Sequence, residues 1–283
     1  MVKHRWLVNP THIAGLLRRK KMIKFFQHIV IWLVLLFLYA PIMILMVYSF
    51  TDSTMIGTIK NFSLQNYVTL FTTPELVSMI WGTFTLAIGV AVLSTFLGTT
   101  GAIGAFYSKK RTRGAIELAN QIPVVNADVV TGFSVCILMI VFFKIRKETF
   151  IPLVIGQTAL CTPFVYLSVL PRLKQMDHHL YEAALDLGCT TSMALRKVVI
   201  PQIIPGIISG FMTAITLSLD DYFITTYTKP ATFDTISTYV VNATKGSQTE
   251  IKTALWALST LIFVLATLYV VLQNFTKKKE EKA

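Results

Sequence analysis

The chain has 283 residues, 54% of them hydrophobic and only 14% charged, and its mean hydropathy is +0.62. Soluble domains carry about 25% charged residues, so the composition excludes a soluble globular protein and predicts an integral membrane protein. The net charge of +12 is attributed to cytoplasmic loops that attract anionic lipid, and no nucleic-acid partner is expected.

Six apolar blocks follow one another along the chain, each close to the length of about 20 residues that crosses a bilayer as a helix. Because the alternating pattern of a membrane barrel is absent, we predict an all-α membrane protein with six transmembrane helices. The chain then divides into a basic N-terminal segment (1–28), a membrane domain (29–274) and a tail (275–283). The predicted spans are 29–50, 80–106, 118–143, 151–170, 205–226 and 253–274.

The distribution of basic residues predicts the orientation of these spans. Nineteen of the 26 Lys and Arg residues fall in segments that six spans place on one side: 1–28, 109–113, 171–204 and 275–283. Cytoplasmic loops carry an excess of Lys and Arg. Both termini are therefore predicted to lie in the cytoplasm.

The 171–204 loop has the composition of a structured segment, because it is long and rich in helix-forming residues. Asp177 can cap a helix that ends at Gly188, and a second short helix, 191–199, is predicted to run to Pro201, where the fifth span restarts. The first helix has apolar residues at helical spacing: Leu180, Ala183, Ala184 and Leu187. Such a helix either lies against lipid and its own bundle or docks on a cytosolic partner.

The stretch "EAALDLGCTTSMALRKVVIP" within this loop resembles the EAA loop of binding-protein-dependent ABC importer permeases. The positions that match in register are Glu182, Ala183, Ala184, Gly188 and Pro201. In that family the loop forms a coupling helix that lies in a groove of the ATPase subunit. The resemblance implies that these residues couple the chain to a separate ATPase.

Three acidic residues fall well inside predicted spans, among fourteen Asp and Glu in all: Asp128, Asp220 and Asp221. A carboxylate in hydrocarbon costs about 2.5 to 3.5 kcal/mol. Each of these three acids is therefore expected to line a water-filled path or to contact a partner. Helix neighbours point about 100° apart. One of Asp220 and Asp221 should therefore face the path, while the other meets a second subunit or caps a backbone break. A purely structural role for both is the alternative, and for Asp128 the two readings are equally open.

Further stretches resemble the permeases of spermidine/putrescine importers, in particular PotC-type subunits. They are "FSLQNYVTLF" (62–71), "NADVVTGFSVCIL" (126–138) and "TLSLDDYFIT" (216–225), while the likeness after residue 229 is loose. The resemblance implies a type I ABC importer permease fold in the cell membrane. It also implies three partners: a second permease subunit, an ATPase dimer and an external substrate-binding protein.

A polyamine substrate agrees with the residues themselves. A path lined by Asp128, Asp220 and Asp221, with no basic residue inside the predicted spans, attracts cations, and Tyr222 can add cation–π contact. An ABC importer permease for another solute remains an alternative, as does an ion-coupled secondary carrier, because acids within membranes also relay protons.

No cofactor is expected in this chain. The sequence has no Gly-x-x-x-x-Gly-Lys-Ser/Thr motif, so ATP and Mg are expected on the partner ATPase, and the chain is expected to be a transport subunit without catalytic residues. The three cysteines and the pair His178–His179 lack the spacing of metal ligands, so no metal site is expected.

Overall fold

The computed structural model describes residues 10–51, 61–146, 148–245, 253–264 and 267–268, nearly all of them helical. Two π-helical turns, Leu138–Phe142 and Leu195–Val199, directly follow the helices Asp128–Ile137 and Thr191–Ala194. In chain order the helices are α1 (Pro10–Ser49), α2 (Gln65–Thr72), α3 (Pro74–Tyr107), α4 (Lys110–Val125), α5 (Asp128–Ile137), α6 (Ile151–Gln175), α7 (His178–Asp186), α8 (Thr191–Ala194), α9 (Ile200–Asp220), α10 (Phe223–Thr228), α11 (Ile236–Lys245) and α12 (Thr253–Val264). They fall into two units, 1–70 with 248–283, and 71–247.

In the first unit, α12 packs against the end of α1. The rings of Tyr48 and Trp256 meet edge to face with their centroids 5.6 Å apart, a preferred aromatic geometry. The α1 helix ends where the Asn66 side chain donates hydrogen bonds to the carbonyls of Ser49 (3.1 Å) and Thr51 (3.0 Å). These bonds satisfy acceptors that a helix C-terminus leaves free.

The second unit is built around α3, α6 and α9, which share one apolar core. Small residues bring the helices close together: a Cβ added at Gly98 of α3 would lie 2.7 Å from the Cβ of Val165 on α6. Close packing over small residues is typical of helix association in membranes. The buried residues of this core include Val90, Ala91, Ala102, Val165, Val169, Leu173, Ile203 and Ala214.

Within the described residues, four helices are long and apolar enough to cross a membrane: Phe26–Ser49, Pro74–Tyr107, Ile151–Gln175 and Thr191–Asp220. A bent pair, Lys110–Val125 with Asp128–Phe142, gives a fifth if it counts as one span. The predicted sixth span, 253–274, is described mainly as the apolar helix Thr253–Val264, and most of its remainder lies outside the described residues. The all-helical class is confirmed, while the count of six spans stays a prediction.

Two predicted spans are interrupted in the structure: 118–143 is not the single helix that was predicted, whereas a backbone break beside Asp220 and Asp221 was one of the expected alternatives. The 118–143 stretch bends by 107° between α4 and α5, two residues after Pro123, which lacks one donor of the helix ladder. Asp128 therefore opens α5 and does not lie deep inside a single helix. The 205–226 stretch ends α9 at Asp220 and restarts as α10 at Phe223.

One predicted interruption is absent. We expected the 191–199 helix to end before Pro201, but Thr191–Asp220 is one continuous 30-residue helix. The π-helical turn Leu195–Val199 explains how this is possible: the N–H of Ile200 bonds the carbonyl of Leu195, five residues earlier. The wider turn changes the bonding pattern just before Pro201, a residue that has no N–H to donate to the helix ladder.

Candidate functional site

All four residues predicted to line a substrate path lie around one cavity of about 240 Å³. We call it the acidic pocket. Its walls come from the start of α5, the middle of α6 and the break between α9 and α10. The lining residues are Asp128, Leu160, Phe164, Leu217, Asp220, Asp221, Tyr222 and Phe223. Side chains from two interrupted helices thus converge at one place, a device that transporters use to build substrate sites.

Asp221 is buried and its carboxylate caps the new helix α10. It accepts hydrogen bonds from the N–H of Ile224 (3.2 Å), the N–H of Thr225 (2.8 Å) and the hydroxyl of Thr225 (2.6 Å). A carboxylate at a helix N-terminus satisfies free donors and is favoured by the helix dipole. Of the two roles expected for the second acid, the structure shows the cap on a backbone break.

Asp220 and Asp128 differ from Asp221 because both side chains are exposed. In the part of the chain that the structure describes, neither carboxylate accepts a hydrogen bond or forms an ion pair. Asp220 ends α9, while Asp128 opens α5, where the helix dipole favours a negative charge. Two uncompensated carboxylates therefore face the acidic pocket and can bind a cation that enters it.

Close packing of α10 on its neighbours fixes the position of the break. A Cβ added at Gly132 of α5 would lie 2.8 Å from the Cα of Ile224, and one at Gly156 of α6 would lie 2.8 Å from the Cγ2 of the same residue. These two glycines let α10 approach both helices. The α5 and α6 helices therefore hold α10 in place, together with the part of the pocket wall at the start of α10.

The aromatic side chains divide between the pocket and the packing around it. Tyr222 lines the acidic pocket, together with Phe164 and Phe223. Tyr227 is not among the lining residues and packs against Phe133, with the ring centroids 5.9 Å apart. Sequence reasoning missed Phe164, because an aromatic residue within an apolar span gives no sign of facing a cavity.

Sequence reasoning also missed Gln157, which is fully buried in α6 and contacts the break. Its Nε2 lies 2.7 Å from the Thr225 hydroxyl and 3.4 Å from Asp221 Oδ2, and its Oε1 accepts from Ser218 at 2.6 Å. An amide in the middle of a mostly apolar span was the available indication, since buried polar groups in membranes need partners.

The residues predicted to couple to an ATPase lie apart from the acidic pocket, on or near α7. Asp177 caps α7 as predicted, accepting from the N–H of His179 at 3.0 Å. Glu182 and Ala183 are exposed on this helix, while Ala184 is buried. Glu182 also lines a groove of about 770 Å³ that contains Arg113 and Lys174, and Pro201 lies in the first turn of α9.

Gly188 ends α7 with a positive φ of 85°. The N–H of Gly188 bonds the carbonyl of Leu185 (2.9 Å) and the N–H of Cys189 bonds that of Ala184 (3.0 Å). This pair of bonds is the Schellman arrangement, which needs a left-handed residue and so favours glycine. An added Cβ would meet nothing within 4 Å, so the requirement for glycine comes from the backbone and not from crowding. The sharp turn predicted at Gly188 is confirmed.

Comparison with known proteins gives a consistent result. Residues 97–281 match the family described as "binding-protein-dependent transport system inner membrane component". The chain is 28% identical to the spermidine/putrescine transport system permease protein PotC of Haemophilus influenzae over 257 residues, 90% of this chain and 97% of that protein. It is 31% identical to the putrescine transport system permease protein PotI of Escherichia coli K12 over 233 residues, 80% of this chain and 81% of that protein.

Among solved structures, a chain of a bacterial alginate ABC transporter, in complex with an alginate pentasaccharide-bound periplasmic protein, has a TM-score of 0.70 at 18% identity. The similarity covers 94% of this chain and 96% of that chain. A second structure, of an ABC transporter that imports the acidic polysaccharide alginate, has a TM-score of 0.66 at 19% identity, over 93% and 99% of the two chains. At this identity the likeness establishes the fold.

Proposed function

Because the chain belongs to the family of binding-protein-dependent transport system inner membrane components and is an ABC importer permease, we propose that it carries polyamines across the inner membrane. The observation that carries this proposal is the acidic pocket, with two exposed carboxylates beside aromatic and aliphatic walls. The substrates named for the relatives PotC and PotI, spermidine and putrescine, have the matching chemistry. The ion-coupled carrier considered from the sequence lacks support, since the family depends on a binding protein.

The pocket chemistry suits a flexible chain with several positive charges. Asp128 and Asp220 attract ammonium groups: one charge pair at 4 Å gains about 4 kcal/mol at an effective dielectric near 20, before desolvation is subtracted. Tyr222 and Phe164 cover the methylenes between the charges, and cation–π contact adds about 0.5 to 2 kcal/mol. Asp221 is engaged by α10, so its role in the proposal is to hold the pocket wall.

The site should bind weakly. We infer that an external binding protein captures the substrate, so the permease has only to offer a path that favours cations. A net gain of about one to two kcal/mol per carboxylate selects cations, whereas the full Coulomb energy, undiminished by desolvation, would trap them. The exposure of Asp128 and Asp220 supports this, because water screens charges that it reaches.

Alternating access requires energy from outside the chain. In the proposal, a second permease subunit completes the path and an ATPase dimer binds ATP and Mg on the cytoplasmic side. The α7 helix transmits closure of the ATPases through Glu182, Ala183 and the turn at Gly188. Both termini of the chain lie in the cytoplasm, and the fold is that of a type I importer permease. Exposed Leu180 and Leu187 support docking here, because they give α7 an apolar face without a partner among the described residues.

Uptake by the complete transporter in proteoliposomes tests the substrate directly. With the binding protein outside and ATP inside, labelled spermidine and putrescine should accumulate, and an unlabelled diol of equal length should compete at least a hundredfold less well. The diol is the matched control, since it keeps the methylenes and removes the charges. ATP-dependent accumulation of neither polyamine, in a transporter whose ATPase is active, would reject the polyamine assignment.

A further inference from the structure

Gln157 bridges the two sides of the break between α9 and α10. Its side chain is fully buried in α6, and its carbonyl oxygen accepts from the Ser218 hydroxyl in the last turn of α9 at 2.6 Å. Its amide nitrogen donates to the Thr225 hydroxyl in α10 at 2.7 Å. One amide therefore connects the end of one helix to the start of the next.

The two hydroxyls that Gln157 engages behave unlike their neighbours. On the same two helices, other hydroxyls donate to the backbone carbonyl four residues earlier: Thr213, Thr216, Thr226 and Thr228. That local bond is the default for Ser and Thr in a helix. Ser218 and Thr225 donate to side chains instead, Ser218 to Gln157 and Thr225 to Asp221. The exceptions stand on either side of the break.

All donors in this network point the same way. The Ser218 hydroxyl donates to Gln157, Gln157 donates to Thr225, and Thr225 donates to the Asp221 carboxylate. Buried polar groups that are fully satisfied fix one conformation, because every alternative leaves a buried group unpaired. The break is also anchored from α11, where the Ser237 hydroxyl donates to the carbonyl of Leu219 at 2.8 Å.

We propose that Gln157 is a positioning residue: it holds α9 and α10 at a fixed angle and so keeps Asp220 on the wall of the pocket that Asp128 also lines. The inference rests on the proposed function, in which Asp128 and Asp220 line the substrate path. Asp220 has no hydrogen bond of its own among the described residues, so its direction depends on the backbone at the break. Gln157 hydrogen-bonds side chains on both sides of this break, Ser218 in α9 and Thr225 in α10.

A cross-linking experiment on the assembled transporter tests this geometry without reference to substrate. In a background with the native cysteines replaced by serine, cysteines at 128 and 220 should be joined by a short bis-methanethiosulfonate reagent, because both positions line one pocket. Gln157→Leu should lower the cross-linking rate at least fivefold, and Ser218→Ala about twofold. The matched control is Thr216→Ala, two residues before Ser218, whose hydroxyl bonds only its own helix; it should leave the rate unchanged.

Transport adds a readout that general loss of structure would not reproduce. Gln157→Leu should reduce polyamine uptake about tenfold alone, yet change it less than twofold in the Asp220→Asn background, because it acts through Asp220. Cross-linking of Gln157→Leu at the same rate as the parent would overturn the proposal. If Gln157→Leu fails to assemble, equal cross-linking rates for Ser218→Ala and Thr216→Ala would overturn it instead. Failure of polyamine uptake in the parent, with the cross-linking pattern intact, would reject the substrate and keep the positioning role.

Discussion

Truncation of the adjacent acids Asp220 and Asp221 should produce two different defects. Asp221→Ala removes the acceptor of four hydrogen bonds: two from backbone N–H groups, one from the Thr225 hydroxyl and one from the Gln157 amide. Asp220→Ala removes an exposed side chain with no hydrogen bond among the described residues. We therefore expect Asp221→Ala to lower stability, and Asp220→Ala to lower transport with little effect on stability.

The size of the stability loss follows from the contacts. Removal of a helix N-cap costs about 0.5 to 2 kcal/mol, and each buried donor left without a partner costs about 1 to 3 kcal/mol. The Thr225 hydroxyl can turn to a carbonyl, which leaves two backbone N–H groups without an acceptor at a cost of about 2 to 6 kcal/mol. Because the cost of a lost cap is smaller, we expect the lower part of that range, about 2 to 4 kcal/mol. At about 2 to 4 °C per kcal/mol for chains of this size, Asp221→Ala should melt about 4 to 16 °C lower.

Thermal melting of the purified complete transporter in nanodiscs, with uptake measured on the same preparations, checks this. Asp220→Ala should melt within about 2 °C of the parent but transport at least tenfold more slowly, if each lost carboxylate costs about 1.4 kcal/mol. Asp221→Asn is the control, because it keeps one acceptor oxygen and should lose about half as much stability. Equal melting shifts for Asp220→Ala and Asp221→Ala would refute the division of roles.

Three further predictions concern α7 and the topology. Gly188→Val should abolish ATP-driven uptake while membrane insertion survives, because a left-handed backbone conformation costs residues other than glycine about 1 to 2 kcal/mol. Gly188→Asn should retain most uptake, because Asn tolerates that conformation. Equal uptake by the two variants would count against a role for the turn. Leu187→Asp should reduce the amount of ATPase that copurifies with the permease at least fivefold, whereas Asp186→Asn should not change it. Parent-level copurification of the ATPase with Leu187→Asp would show that this end of α7 is not part of the ATPase interface. Cysteines at 148 and 231 should react with an impermeant reagent from outside and those at 110 and 192 from inside; the reverse pattern would contradict the orientation.

The sequence was sufficient for the elements that depend on local patterns. The apolar runs place the ends of α3 and α6 to within six residues, because about 20 apolar residues in a row have few alternatives to a spanning helix. The capped helix α7 and its turn at Gly188 were also predictable, since Asp and Gly act on the backbone beside them. These predictions required no knowledge of tertiary contacts.

The interruptions could not be read from hydropathy, because an apolar run does not record where its helix breaks. The break after Asp220 is stable because Gln157, 64 residues earlier than Asp221, reaches it from another helix. A local indication did exist: Asp is favoured at the start of a helix, where its carboxylate can accept from the free N–H groups of the first turn. The convergence of Asp128 and Asp220 on one pocket depends on both breaks and required the structure.

Spermidine uptake by the transporter with Asp128→Asn and Asp220→Asn tests most directly whether the acidic pocket is the cation path. Each change keeps the size of the side chain and removes its charge. We predict that each variant lowers uptake about tenfold or more, the factor that corresponds to about 1.4 kcal/mol, while basal ATPase activity persists. Glu148→Gln, at an exposed acid outside the pocket, should leave uptake unchanged. Parent-rate uptake by both pocket variants, each properly assembled, would contradict the assignment of the path.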